Sequence, residues 1–590
     1  MRIVVLEDIP EDPELRRAWN ELALRMERPE VFYTHEWAVA VRRAYEDCRR
    51  PLLFLAYESN FLVGVVAFAK DQGRTRDVVF LTGSTADYCD FLSAPDRRLE
   101  FVEAVLGEMQ TRKIDKVVLA NLPADSCSVG AISRAAPISK YNLHSRLAYL
   151  CARVVLGSGE ERSALKKATA GKKRLRRNFR ELEKIGPVFV RHDTQWEQIE
   201  PILQSLSQAH VARFLSIGRM SNLLSAERRK FLYELARELS SSGWVAVSRL
   251  QVGDVPIAWN YGFQFPGSWF WYQPTVESGP TFADFSPGYC LLARIVELAC
   301  DRPEIEVVDL GLGSEEYKDR FATATRETLY CVLNKSFSDH VQMAVRDRAV
   351  ALAKRAPAVE SWVRVMISCV ARLNCRLREE RARELLKRVG RRVARFLFAF
   401  DEVLFFEWTS GDHKRKGAAT LRPLGSDLLG AAAIKYADEP TTIDFLMRSA
   451  QRFRCQPDQG FALITADGTP VHFCWVRDFE GFEMQELERT LHAPGKNAAM
   501  IFDCFTPVSA RGNGLFGEAI GAVARLLREQ GKVPWIFGAA ADQGSLRGIE
   551  KSGFTYRFSL GCRKIAFLRI MKDSISSLGG ESATSSATVP

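Results

Sequence analysis

Residues 503–554 read DCFTPVSARGNGLFGEAIGAVARLLREQGKVPWIFGAAADQGSLRGIEKSGF, and this stretch decides the fold. An apolar strand, Met500 to Phe505, leads through Thr506-Pro507 into Ser509-Ala510-Arg511-Gly512-Asn513-Gly514. In the helix that follows, Phe516, Ile520, Val523 and Leu527 share one face, Arg525 and Arg528 lie off it, and Gly531 is a stop. Val533 to Phe537 is a second short apolar strand. Strand, loop and helix together make an anion site. Gly512 and Gly514 let the backbone turn sharply and approach a ligand, and the free amides of the helix start face the anion. A Gly-x-Gly loop alone could equally be a tight turn. Downstream, Asp542-x-x-Ser545 opens a short helix that closes on Glu550-Lys551-Ser552-Gly553-Phe554.

This frame resembles the GNAT superfamily of acyl-CoA N-acyltransferases. The resemblance implies that the Arg-Gly-x-Gly loop grips the CoA pyrophosphate. Val508, Arg511, Gly512, Asn513, Gly514, Leu515 and Ser545 are then cofactor contacts, with acetyl-CoA or another acyl-CoA as co-substrate and no metal. Three positions depart from the family pattern. Ser509 stands where Gln or Arg is usual, Asp542 where Asn is usual, and Ile549 where a tyrosine often protonates the leaving thiolate. The fold expectation survives these departures; a catalytic role for this copy depends on them.

At 590 residues the chain should hold several domains. Hydrophobic content of 47% and aromatic content of 10% are those of a globular protein. A net charge of +10 admits acidic substrates, nucleic acid or an anionic membrane surface and selects none of them. The 13 cysteines form no CxxC pair and no secretory signal opens the chain, which reads as a reduced, cytoplasmic protein. No uninterrupted apolar run approaches the ~20 residues of a membrane helix. The best candidate, Val393 to Trp408, is broken by Arg395, Asp401 and Glu402. The eight histidines include no HExxH.

A long-period repeat organises the rest. Leu52–Ala56 with Leu62–Ala67, Trp244–Val247 with Ile257–Trp259, and Phe461–Ile464 with Val471–Trp475 are three hairpins with turn chemistry at their tips. Each should be followed by a strand, a helix and a second strand. In the first copy these are Asp87–Leu92, Leu99–Met109 and Val117–Leu119; in the second, Trp269–Tyr272, Gly288–Ala299 and Ile305–Leu310. The third is the opening stretch. The expected fold is α/β, with three units of one kind, each a mixed twisted sheet flanked by helices.

The first two copies carry, in order, FYTHEW (32–37), DYCDFL (87–92), Ser286-Pro287-Gly288 and DLGLGSEEYKDRF (309–321). This resembles the FemAB-like double-GNAT acyltransferases, in the branch found with bacterial polysaccharide and cell-envelope synthesis. The resemblance covers about residues 1–335, as halves at about 1–155 and 186–335 with a basic segment at 160–185. It implies that Ser286 and Gly288 are a degenerate phosphate loop. Tyr317 would occupy the place of the proton-donating tyrosine that Ile549 lacks. Glu316 is the candidate base beside it, with Asp309 and Glu315 near; Lys318 and Asp309 are candidate substrate contacts. Glu483, Glu486 and Glu488 are the acids preceding the third unit's central strand.

Leu165–Ile185 carries nine Lys and Arg residues and one aromatic, Phe179. It is either a solvated helix face or a basic wall for a phosphorylated substrate or RNA; the sparse aromatics argue against base stacking. Residues 336–400 read as a basic helical linker, which either packs on its neighbours or lies on an anionic membrane face. The third unit spans about 401–572, and 573–590 reads as a disordered tail. The function expected is acyl transfer from CoA to an amine, which the resemblance places on an amino sugar or envelope precursor. Two alternatives stay open: an aminoacyl-tRNA donor, as in other FemAB relatives, and a C-terminal unit that senses CoA or binds a partner without catalysis.

Overall fold

The computed structural model describes residues 1–71, 76–313, 315–354, 398–409, 419–454, 458–484, 487, 489–565 and 568–574. Most of the expected linker, the tail from 575 onward, and Glu486 and Glu488 lie outside the described residues. The chain forms two compact units, one from Met1–Phe214 with Met220–Ala356 and one from Leu215–Arg219 with the C-terminal part. Among the described residues no helix is long and apolar enough to cross a membrane.

The first unit is built on a sheet of 13 strands among the described residues. Its first half supplies β1 (Arg2–Leu6), β2 (Arg49–Glu58), β3 (Phe61–Asp71), β4 (Asp77–Phe80), β5 (Leu92–Ser93), β6 (Lys116–Pro123) and β7 (Asn142–Val155). Its second half supplies β8 (Val188–Asp193), β9 (Val245–Val252), β10 (Val255–Phe265), β11 (Gly267–Val276), β12 (Ile305–Leu312) and β13 (Ala324–Asn334). The order across the sheet is β1-β2-β3-β4-β6-β13-β7-β12-β11-β10-β9-β8, with β5 beside β3.

Two strands in that order are exchanged. The last strand of the first half, β7, pairs with β12 of the second, while the last strand of the second, β13, pairs with β6 of the first. The exchanged strands also pair with each other, from Ala324↔Arg153 to Asn334↔Asn142. Each half therefore completes the other's hydrogen-bond ladder, and neither can leave without exposing paired amides and carbonyls.

The hairpins form as expected, as β2–β3, β9–β10 and, in the second unit, a third pair. One expectation is corrected. The strand that follows the first hairpin is Asp77–Phe80, not Asp87–Leu92; only Leu92–Ser93 of that segment is extended in the sheet. The reason lies in where its backbone bonds go. Cys89 N donates to Asn121 O (3.0 Å) and Asn121 Nδ2 donates to Ala86 O (2.9 Å), so the segment is tied across the sheet rather than laddered along it. Asp87 and Asp90 are also poor strand formers.

In the second half, the Pro287–Cys300 helix buries Cys290, Leu291, Leu292, Ala293, Ile295, Val296 and Ala299 against the sheet. The basic segment forms two helices, Gly159–Gly171 and Lys173–Ile185. The second of these buries Leu175, Phe179 and Leu182 in the same core and turns its charges outward.

The second unit has an eight-stranded sheet among the described residues. Its strands are β14 (Phe398–Trp408), β15 (Thr420–Pro423), β16 (Gln459–Ile464), β17 (Pro470–Asp478), β20 (Ala498–Phe505), β21 (Val533–Ala539), β22 (Phe554–Ile565) and β23 (Leu568–Ser574). A separate hairpin joins β18 (Phe482–Met484) and β19 (Arg489–Leu491). Strand β14 lies between β21 and β22, beside β21 as β7 lies beside β12.

A buried ionic network crosses the halves of the first unit. Arg326 on β13 donates to Glu30 Oε1 (2.5 Å) and Asp125 Oδ1 (3.0 Å), and its guanidinium lies over the Tyr88 ring. Tyr88 donates to Asp309 Oδ2 (2.9 Å), which Arg153 approaches at 3.3 Å. Burial pushes the Glu30 carboxyl up to about 7, against the pull of Arg326. Removing the cation leaves this acid enclosed without its partner. Arg326→Met should therefore cost about 3 kcal/mol of stability at pH 8. The loss should shrink at pH 5.5, where Glu30 is neutral, and Glu30→Gln in the same chain should restore part of it; urea unfolding at the two pH values measures both.

Candidate functional site

Each of the three repeats contains two parallel strands that pair briefly and then part. In the first half β4 and β6 pair from Asp77↔Lys116 to Val79↔Val118. In the second half β11 and β12 pair from Gly267↔Ile305 to Phe270↔Asp309, and in the second unit β20 and β21 from Ala498↔Val533 to Ile501↔Ile536. Past each parting, strand amides and carbonyls face a gap instead of a ladder and can bond a ligand that enters it.

The first gap is closed by the protein itself. The segment tied to Asn121 occupies it: past the parting, Asn121 of β6 accepts from Cys89 N (3.0 Å) and donates to Ala86 O (2.9 Å).

The second gap is furnished with chemistry. Trp271, on β11 just past the parting, donates its indole N–H to Tyr317 Oη (3.1 Å). This leaves the phenol hydrogen free for another acceptor. Burial, then Glu315, pushes that phenol up to about 12, so it stays protonated. Lys318 is buried, donating to Leu312 O (2.8 Å) and pairing with Glu315 (2.6 Å). Asp309 is fully enclosed, accepting from Tyr88 and from Gly311 N (2.9 Å). Glu316 is exposed and paired with Arg320 (2.5 Å). The structure thus gathers Tyr317, Lys318 and Asp309 around the gap and turns Glu316 to solvent.

Beside the gap lies the start of the Pro287–Cys300 helix. Ser286 caps it in the left-handed region (φ 49°), and its Oγ accepts from Arg174 (2.9 Å). A Cβ on Gly288 would meet Val276 Cγ1 at 3.0 Å, so the helix start is held close against the end of β11. Lys172 donates to Arg320 O (2.8 Å), with its ammonium 4.0 Å from the centroid of the Phe321 ring. Two cations from the basic segment therefore stand at the positive end of a 14-residue helix.

In the second unit, Gly512 (φ 86°) and Gly514 (φ 72°) make the expected turn into the helix Leu515–Glu529. Arg511 donates back to Thr506 O (3.1 Å) and Asn513 Nδ2 to Ala510 O (3.2 Å). The amides of Val508 and Ser509 are bonded to the Glu439 carboxylate (2.9 and 3.1 Å). Burial opposes that ionisation, but the bonds from Ser509, Thr442 and Val508 prevail and hold Glu439 below its ordinary value. Ser545 donates to Asp542, the cap of its helix (2.7 Å). Ile549, where the family has tyrosine, is core.

Sequence reasoning missed Asp87. Its carboxyl lies in the second gap: a Cβ on Gly311 would fall 2.7 Å from Asp87 Oδ2 and 3.5 Å from Trp271 O. DYCDFL was visible, but as a strand; two acids inside an otherwise apolar, aromatic run were the available signal.

Residues 170–319 match a family model described as an acetyltransferase (GNAT) domain. No match was found among curated proteins. Among solved structures, FemX is similar at 7% identity and TM-score 0.42, covering 58% of this chain and all (100%) of that one. L-PGS from Bacillus licheniformis is similar at 14% identity and TM-score 0.37, covering 57% and 96%. A tandem GNAT protein from the clavulanic acid biosynthesis pathway is similar at 12% and TM-score 0.33, covering 56% and 97%.

Gly311 (φ 71°) and Gly313 (φ 92°) both hold left-handed conformations, but a Cβ on Gly313 meets nothing within 4 Å. Gly313→Ala should cost only the conformational term, about 1 kcal/mol, and Gly311→Ala clearly more because it also drives into the Asp87 carboxyl. Paired thermal melts of the two variants check the difference.

Proposed function

Since the chain carries a GNAT-superfamily acetyltransferase domain at residues 170–319, we propose that it transfers an acyl group, most simply acetyl, from CoA to an amine. The reaction takes place in the gap between β11 and β12. The observation that carries this reading is the conjunction at that gap: a basic helix start on one side and the Tyr317 hydroxyl, held by Trp271, on the other. CoA's phosphates sit at Ser286–Gly288 with Arg174 and Lys172. The thioester enters the gap, where unpaired backbone of β11 polarises its carbonyl. The thioester is already activated, so the protein's contribution is mainly to hold the amine against it. As the C–S bond breaks, the phenol of Tyr317 donates a hydrogen bond, and then a proton, to the departing sulfur.

The acceptor is the amine of an amino sugar or a related cell-envelope precursor, as the family resemblance implies. The halves at about 1–155 and 186–335 form one catalytic module, with the basic segment between them serving the donor. The unit at about 401–572 is a further CoA-binding module, through Val508, Arg511–Leu515 and Ser545. Within it, Glu439 must give up two amides when a ligand takes them.

Calorimetry and turnover on the full chain test this. Arg174→Ala should weaken acetyl-CoA binding about tenfold, a loss of about 1.4 kcal/mol. Tyr317→Phe should lower kcat by about 10–100-fold with KM little changed. Turnover that survives Tyr317→Phe but falls with Gly512→Asp would move the chemistry to the second unit. Salt-sensitive tRNA retention with no CoA binding would replace the donor by an aminoacyl-tRNA.

A further inference from the structure

We propose that Asp87, carried into the β11–β12 gap by the first half of the unit, is the general base that takes the acceptor's ammonium proton. The inference rests on acyl transfer in that gap.

Position comes first. The last paired residues of the parting strands are Phe270 and Asp309. Trp271 and Gly311 lie just beyond, and a Cβ on Gly311 would fall 2.7 Å from Asp87 Oδ2 and 3.5 Å from Trp271 O, which sets the carboxyl beside Gly311 of β12 where that strand faces β11. This is where an amine must stand to attack a carbonyl polarised by β11. Gly311 is glycine here for two separate reasons, its positive φ and the carboxyl above it.

The other acids near the gap are committed. Asp309 is 1% exposed and holds Tyr88, Arg153 and Gly311 N; Glu30 is 3% exposed and holds Arg326. Glu315 pairs with Lys318 and Glu316 with Arg320. Asp87 accepts from the Leu312 amide and, among the described residues, has no ion-pair partner. The cations that act on it have bonds of their own, Lys318 to Leu312 O and Glu315, and one nitrogen of Arg228 to Tyr272 Oη (2.8 Å). Asp309 and Glu30 are enclosed, whereas Asp87 as a residue is half-buried.

The segment is held on both sides of the acid. Tyr272 donates to Thr85 O, Asn121 Nδ2 donates to Ala86 O, and Cys89 N donates to Asn121 O. The loop that closes the first gap is thus the arm that delivers a carboxylate to the second. The groups facing Asp87 are Asp309 on β12, Tyr272 on β11, Lys318, Arg228, Cys89 and Cys151. Burial first, then Asp309, raises its carboxyl to about 7, with Lys318 and Arg228 opposing. A base poised there is half ionised at neutral pH yet basic enough to accept from an ammonium with a pKa near ~10.

In the step, a carboxylate oxygen of Asp87 takes one N–H proton, and the freed lone pair forms the C–N bond. The carbonyl re-forms as the C–S electron pair leaves with the CoA sulfur, which takes the proton of Tyr317; the second proton still on the attacking nitrogen passes to the Tyr317 oxygen, restoring the phenol and leaving a neutral amide. Asp87 then returns its proton to water.

The test uses the full chain with acetyl-CoA and a panel of amines, glucosamine among them. In wild type, log(kcat/KM) should rise with unit slope and level off above about pH 7. Asp87→Asn should lose at least ~100-fold and the pH limb, with acetyl-CoA affinity unchanged by calorimetry. It should also melt higher than wild type at pH 8, where the native carboxylate is ionised against its surroundings, and show little difference at pH 4. A residue that merely holds the fold would melt lower. Asp87→Glu should keep a reduced rate and a pH limb, which separates loss of the base from loss of the fold. An Asp87→Asn enzyme within threefold of wild type, with the same limb, would sink the assignment alone. Absence of wild-type turnover with every amine would sink the acyl-transfer reading and this role with it.

Discussion

The exchange of β7 and β13 is the constraint on which the first unit depends. Two similar halves could have packed as separate sheets joined by a loose interface. Instead each contributes the strand that lies beside the other's parallel pair, and the two exchanged strands pair along 11 residues. A strand in that place is needed because the parallel strand beside it, β6 or β12, would otherwise present an unpaired edge. The second unit solves the same problem within its own chain by inserting β14 beside β21. The ionic network then makes the exchange specific. Arg326 rides on β13, Arg153 on β7, and their carboxylates come from both halves, so a slip in register would strand buried charge.

From this follows an asymmetry between the halves. Both have a parting pair of strands, yet only the second gap is open. The first is filled by the segment around Asp87, whose backbone is bonded to Asn121 within the first half and through Thr85 O to Tyr272 in the second. The first half has given up a ligand gap and become the wall of its neighbour's. Because the shared sheet holds the halves in register, a carboxyl from one can be set against the backbone of the other without a flexible hinge between them.

Much of this was legible in the sequence, for a reason that can be stated. Hairpins, the glycine turn at Gly512–Gly514 and the helix Leu515–Glu529 are local: turn residues, apolar period and cap all lie within a few positions of one another. The same locality placed Ser286 at a helix start and Tyr317 beside a strand end. The strand exchange had no such signal, since β13 and β7 meet across most of the unit's length and either could have paired within its own half. Asp87 was hidden for the same cause. Its segment looks like a strand from composition, and only the long-range bonds to Asn121 show that it is not. Glu316 looked as good a base as any acid beside Tyr317; its neighbour Arg320, one helical turn on, settles it at the surface.

The gap also shows how one environment can serve two opposite tasks. Burial disfavours charge on every acid it encloses, and here it raises both Asp87 and Tyr317. For the carboxyl, an increase to about 7 carries it from a weak base toward the working pH. For the phenol, an increase to about 12 carries it away, fixing it as a donor. A solvent-filled cleft would leave the first too acidic to accept a proton and the second easier to ionise. The same burial thus sorts the two groups into acceptor and donor, with Asp309 adding to the first shift and Glu315 to the second. The loop that carries Asp87 is bonded to Asn121 in one half and, through Thr85 O, to Tyr272 on β11 in the other, so the acid is held in that environment from both sides.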